Sequence, residues 1–225
     1  MKWSMQTNAF RRVEFCISAC SWKTYSLIRT RRYHTDADLV GLFKAHVLSF
    51  IEYRTCAISH AAASVLEPLD LVQTRFLRSL GISPLDALMY FNLAPLNTRR
   101  DIAILGVIHR SALGLGPHCF SRFFRRDSGV PPARAPRRHC RHLAEPVDFR
   151  APDFILHSPL GAVRIYNLLP DYVVKANSVA EFQSSLQCLL RARAQQCEDW
   201  PQSFSFRLPL AFHPLRSCRD WRPQQ

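Results

Sequence analysis

Arginine is the residue type through which this chain has most scope for chemistry. Its 225 residues hold 30 lysines and arginines against 17 acids, a formal charge of +13, and 26 of the 30 are arginine. Such a surplus attracts polyanions by Coulomb force and counterion release. The planar guanidinium also donates two parallel hydrogen bonds to a phosphate, where an ammonium offers only a point charge. Nucleic acid is therefore the first partner to consider, although codon bias in a GC-rich genome would raise the arginine count by itself. Seven arginines crowd into residues 122–141, at 122, 125, 126, 134, 137, 138 and 141, with Phe120, Phe123 and Phe124 beside them. Phenylalanines so interleaved can stack bases, and they can equally be core. Arg29, Arg31 and Arg32 precede one expected helix, and Arg99 and Arg100 begin another. Arginines at helix ends can reach a phosphate backbone, but cations at an N-terminus oppose the helix dipole, so a compensating acid such as Asp70 is also expected.

The candidate nucleic-acid contacts are thus Arg29, Arg31, Arg32, Arg99, Arg100, Arg122, Arg125, Arg126, Arg137, Arg138 and Arg141. Thiol and imidazole chemistry is less well prepared. Cys16 and Cys20 have ligand-like spacing, and His139, Cys140 and His142 cluster, but neither group finds a properly spaced second pair for zinc. The eight cysteines lack the dense spacing of a small secreted scaffold, so reduced thiols are expected. Neither a Gly-x-Gly-x-x-Gly nor a Walker motif is present.

Helices must position these arginines. Apolar residues Leu39, Leu42, Phe43, Val47, Phe50 and Ile51 fall three and four apart behind Thr35 and Asp36, which predicts an amphipathic helix. A second runs from His60 to Leu80, with Pro68 expected to bend or split it and Gly81 to cap it. Ser83-Pro84 opens a short helix to about Tyr90. Asn97 is placed to cap another, with Ile102, Leu105, Ile108 and Ala112 on one face and Gly114, Gly116 and Pro117 at its end. Prolines 131, 132 and 136 break the arginine-rich stretch into an extended linker. Ser178-Val179-Ala180-Glu181 reads as a capping box opening a final helix through Phe182, Leu186, Leu189 and Leu190.

The expected fold is mainly α: a small helical bundle, a basic irregular linker and a shorter C-terminal helical segment. The boundaries are 1–22 for an N-terminal extension, 23–125 for the bundle, 126–153 for the linker, 154–198 for the helical segment and 199–225 for an irregular tail. No apolar run reaches the roughly 20 residues that cross a bilayer, and no signal-peptide core is present, so an intracellular protein without a membrane partner is expected. The basic first 13 residues make a poor transit peptide.

The segment Leu48-Ser49-Phe50-Ile51-Glu52-Tyr53-Arg54-Thr55, with Leu69-Asp70, Gln73 and Arg75-Phe76-Leu77 before Gly81-Ile82, resembles the region after the palm in non-LTR retrotransposon reverse transcriptases. Phe91 to Leu96, Arg99 to Gly106 and His109-Arg110 look like the helices that follow. Ile165-Tyr166-Asn167-Leu168-Leu169-Pro170, then Ser178, Phe182 and Leu186, is similar to a C-terminal signature of the same polyproteins. The resemblance spans about residues 23 to 190. It implies a helical thumb that grips an RNA-DNA hybrid or RNA, with fingers and palm upstream of Met1.

Polymerisation in that family needs paired carboxylates on two metal ions, usually in an Asp-Asp turn, and this chain contains no Asp-Asp. Asp36-x-Asp38 is better explained as negative charge at a helix N-terminus. The resemblance thus implies a catalytically incompetent fragment without cofactor, the magnesium belonging to the palm. A small basic RNA- or DNA-binding protein and a helical protein-interaction scaffold are the alternatives. A bundle parted from its palm is also expected to expose apolar surface.

Overall fold

The computed structural model describes residues 2–58, 61–127, 139–148 and 150–216. The protein is mainly α-helical, and its one β feature among the described residues is an isolated bridge between Arg126 and Leu143. The chain divides into two compact units, Met1–Arg100 and Asp101–Gln225.

The first unit opens with a long helix, α1 (Lys2–Arg29), where residues 1–22 were expected to be an extension. Val13, Cys16 and Cys20 on α1 are fully buried and Thr24 nearly so, and the helix packs chiefly along α5. These are small side chains at spacings of three and four, which let two helices approach closely without giving a strong hydrophobic signal. After a 3-10 turn at Arg31–Tyr33, α2 (Asp36–Phe43) starts at Thr35. The Thr35 hydroxyl accepts from the Asp38 N–H at 3.2 Å and the Asp38 carboxylate accepts from the Thr35 N–H at 3.2 Å, a complete capping box. A π-helical turn at Lys44–Leu48 carries the chain into α3 (Ser49–Glu52), and α4 (Thr55–Ile58) follows.

Helix α5 (Ala63–Leu80) runs through Pro68, which lies on its exposed face, without splitting. It stops at Gly81, whose φ of +74° lets the Ile82 N–H reach the Leu77 carbonyl. Helix α6 (Pro84–Phe91) is capped by Ser83, whose hydroxyl accepts from the Asp86 N–H at 3.0 Å. Phe43 stacks on Phe76 at 4.3 Å in the core they share with Leu39, Ile51 and Leu69.

Helix α7 (Leu96–Ala112) begins before Asn97, so Asn97 does not cap it, and the division between units falls inside it. In the second unit α7 ends at Gly114 (φ +78°), and a 3-10 turn covers His118–Arg122. Four helices follow: α8 (Asp153–Leu156), α9 (Pro159–Tyr166), α10 (Asp171–Val174) and α11 (Val179–Ala194). The Ser178 hydroxyl caps α11 by accepting from the Glu181 N–H, while Glu181 reaches back to the Asn177 N–H instead of that of Ser178.

Part of the expected irregular tail is packed: Trp200, Phe204, Phe206 and Leu215 are buried among short 3-10 turns. Arg193 holds this segment by donating to the Ser203 hydroxyl and the Pro214 carbonyl. The described ends of the expected linker are also pinned, with the Asp127 N–H bonded to the His142 carbonyl and the Ala144 N–H to the Arg125 carbonyl.

Candidate nucleic-acid interface

The candidate arginines separate into two kinds once their partners are seen. Arg100 is buried and forms a two-pronged pair with Asp70 at 2.5 and 2.8 Å. Arg99 meets Glu52 at 2.6 Å. The two cations at the start of α7 therefore each have the compensating acid that the helix dipole calls for, and Arg100 is committed to the interior of its own unit. Arg141 is likewise inward: its guanidinium donates to the Val174 carbonyl at 2.6 Å, to the Ala176 carbonyl and to the Asn177 amide oxygen at 3.1 Å. A free phosphate would have to displace these bonds. Arg99, Arg100 and Arg141, also candidate nucleic-acid contacts, thus have their guanidiniums engaged within the protein.

The remaining described candidates are exposed. In the first unit, Arg29 lies in the last turn of α1 near the Tyr25 ring, Arg31 donates to the Ser79 carbonyl at 2.5 Å, and Arg32 covers Tyr33 at 4.6 Å. In the second unit, Arg122, Arg125 and Arg126 are exposed, Phe123 is 45% exposed, and Phe124 is buried with Phe120 edge-on to it. None of these six arginines forms an ion pair with a carboxylate among the described residues. Arg137 and Arg138 lie outside the described residues.

The first unit carries a basic and aromatic surface that periodicity did not reveal. Because the inner face of α1 is made of Val13, Cys16, Cys20 and Thr24, its aromatic residues point outward: Phe15 is 60% exposed, Trp22 71% and Tyr25 61%. Beside Phe15, Arg54 stacks on Phe50 at 3.8 Å and Lys23 covers the same ring at 4.3 Å. Arg11, Arg12, Phe15 and Arg54 line an open cleft of about 380 Å³, floored by Ala57 and Ile58. The signal available beforehand was the spacing of Arg11, Phe15, Trp22, Tyr25 and Arg29, masked because aromatic residues at helical spacing normally mark a buried face.

The interior of the second unit explains the Tyr-Asn-x-Leu-Pro stretch. The Asn167 side chain donates to the Leu143 carbonyl at 2.8 Å and accepts from the Leu143 N–H at 3.0 Å, holding the far end of the basic segment. The Tyr166 hydroxyl lies 3.0 Å from Nδ1 of fully buried His109, whose Nε2–H donates to the Ala176 carbonyl and whose ring stacks on Phe182 at 4.0 Å. His139 Nε2–H donates to the Tyr166 carbonyl while its Nδ1 accepts from the Arg141 N–H. His213 repeats the pattern with the Ser205 carbonyl and the Leu215 N–H. Burial favours the neutral ring in all three, lowering the pKa of His109 and taking those of His139 and His213 down to about 4. These imidazoles are saturated by hydrogen bonds and enclosed, so they serve packing.

Burial pushes the Cys20 thiol up to about 11 and raises that of Cys16, and both face the first unit's core. Asp38 is committed to its cap, and the described residues contain no group of three His, Cys, Asp or Glu able to hold a metal. A groove of about 620 Å³ between α5 and the start of α7 presents Gln73 and Thr74, but its carboxylate, Asp70, is the one paired with Arg100. No family model matches the chain, and no curated protein or solved structure matches it.

Proposed function

We propose that this protein binds nucleic acid through exposed arginines without catalysing polymerisation, as a relative of the post-palm, thumb-like region of non-LTR reverse transcriptases. One observation carries the reading. The protein pairs Arg99 and Arg100 with carboxylates, and leaves Arg29, Arg31, Arg32, Arg122, Arg125 and Arg126 exposed with no ion pair to a carboxylate among the described residues. A guanidinium left in water beside no acid is available to phosphate, and each phosphate neutralised releases counterions. The residues of the family resemblance support the relationship in a different way. Asp70, His109, Tyr166, Asn167 and Phe182 are joined in the packing and hydrogen bonding of their units, as residues defining a fold would be.

The test is binding of the full chain to a labelled RNA-DNA hybrid, beside a primer-extension assay with magnesium and nucleotides. Binding without extension is expected. Extension would refute the noncatalytic reading, and failure to bind both the hybrid and single-stranded RNA at low salt would refute the nucleic-acid reading. Binding that is instead limited to apolar protein partners and insensitive to salt would favour a scaffold.

A further inference from the structure

The outward face of α1 is at odds with ordinary helix amphipathicity. Arg11, Phe15, Ser18, Trp22, Tyr25 and Arg29 follow one another at intervals of 4, 3, 4, 3 and 4 residues, and all six are exposed. At 3.6 residues per turn they fall within an arc of about 80°, and the row from Arg11 to Arg29 is about 27 Å long. Three flat aromatic faces therefore lie along one line with a guanidinium at each end. Arg11, Arg12 and Arg54 surround Phe15, and Tyr53 on the neighbouring turn is 87% exposed. The only acid on α1 is Glu14, against Lys2, Arg11, Arg12, Lys23 and Arg29.

We infer that this row is a stacking platform for single-stranded nucleic acid: bases lie on Phe15, Trp22 and Tyr25 while Arg11, Arg12, Arg29 and Arg54 hold the phosphates. The inference rests on the nucleic-acid reading above and gives it a surface and a preferred form of ligand. A single strand offers what the row lacks, namely negative charge at short intervals and unpaired π faces, whereas a duplex keeps its bases stacked inside. A second copy of the chain would bring arginines against arginines on a protein of charge +13. An anionic membrane would answer the charge. However, the exposed positions from Phe10 to Arg29 include no aliphatic side chain, and α1's other apolar face is already buried, so little remains to sink into acyl chains.

The experiment uses the full chain, a fluorescently labelled single-stranded RNA of mixed sequence and the RNA-DNA hybrid, with the wild type compared with Trp22→Ala, Tyr25→Ala and Phe15→Ala/Trp22→Ala variants. The substituted side chains are exposed, and matching circular dichroism and melting curves establish that the variants fold. Single-strand affinity is expected to fall about 10-fold for each aromatic removed, and Trp22→Phe to restore most of it. Hybrid binding is expected to change less than threefold. Because stacking is not ionic, part of the wild-type single-strand affinity should survive high salt and disappear in the double variant.

Equal single-strand binding by wild type and double variant overturns the platform while leaving the general nucleic-acid reading intact. Loss of binding to both ligands alike also overturns it, since the row would then not distinguish a single strand. No binding of either ligand by the wild type refutes both. Tight binding to phosphatidylserine vesicles without RNA binding, or a dimer that the double variant dissolves, would assign the row to a membrane or to self-association and overturn the inference.

Discussion

Two aromatic groups, one in each unit, are set in opposite surroundings. In the second, Tyr166, Phe182, His109 and His139 meet inside, with every ring polar group bonded. In the first, α1 turns Phe15, Trp22 and Tyr25 to solvent and buries Val13, Cys16 and Cys20. Exposed aromatics contribute almost nothing to folding and cost solubility, so a row of them is explained by something they touch. The contrast separates residues that maintain the fold from residues open to a partner, and it does so more sharply than charge alone.

Acid should break this contrast most strongly. The buried rings of His139 and His213 have pKa values near 4 against about 6.5 in the unfolded chain, so the unfolded state takes up protons first. The stability they contribute is complete above pH 6.5 and is lost progressively as the pH falls toward 4, by up to about 3 kcal/mol for each histidine. His109 acts in the same direction. The second unit is therefore expected to loosen between pH 6 and 4. Hydrogen-exchange mass spectrometry across that range would show it as early exchange in α9 to α11, with α5 still protected. Equal loss in both units would count against the histidine account.

A smaller effect comes from backbone packing. A Cβ on Gly161 would lie 1.9 Å from the Leu156 carbonyl oxygen, whereas the closest atom to one on Gly106 is the amide nitrogen at the flexible end of Gln183, at 2.7 Å. Gly161→Ala is expected to destabilise by about 3 kcal/mol and Gly106→Ala by less than about 1 kcal/mol in denaturant melts. Tyr166→Phe removes the hydroxyl that His109 Nδ1 accepts from and should cost about 1 to 2 kcal/mol without a change in nucleic-acid affinity. Trp22→Ala sits at the other extreme: a change within about 0.5 kcal/mol is expected, because so exposed a ring has little packing to lose.

What could be read beforehand was mostly local. Thr35 with Asp38, Ser83 with Pro84 and Gly81 act within a turn of their own position, and each does what its residue type predicts. The dipole argument at Arg99 and Arg100 also anticipated acids and named Asp70. The partners of Arg141 were not legible, because they are carbonyls 33 and 35 residues further along the chain, where nothing in its neighbourhood announces them. Helix α1 was missed as an integral element for a physical reason. Close packing against α5 selects small side chains on the inner face, which inverts the hydrophobic pattern that normally says which way a helix points.

The central claim is that exposed, acid-free arginines bind nucleic acid while paired ones hold the fold. Its most direct test is the slope of log affinity against log salt for the RNA-DNA hybrid, measured for the wild type and for a variant with Arg122, Arg125 and Arg126 changed to glutamine. At about 0.9 in slope per phosphate neutralised, the account predicts a steep wild-type dependence that becomes shallower by roughly 2 to 3 in the variant, with the melting temperature unchanged. An unchanged slope, or a wild-type affinity indifferent to salt, would contradict it.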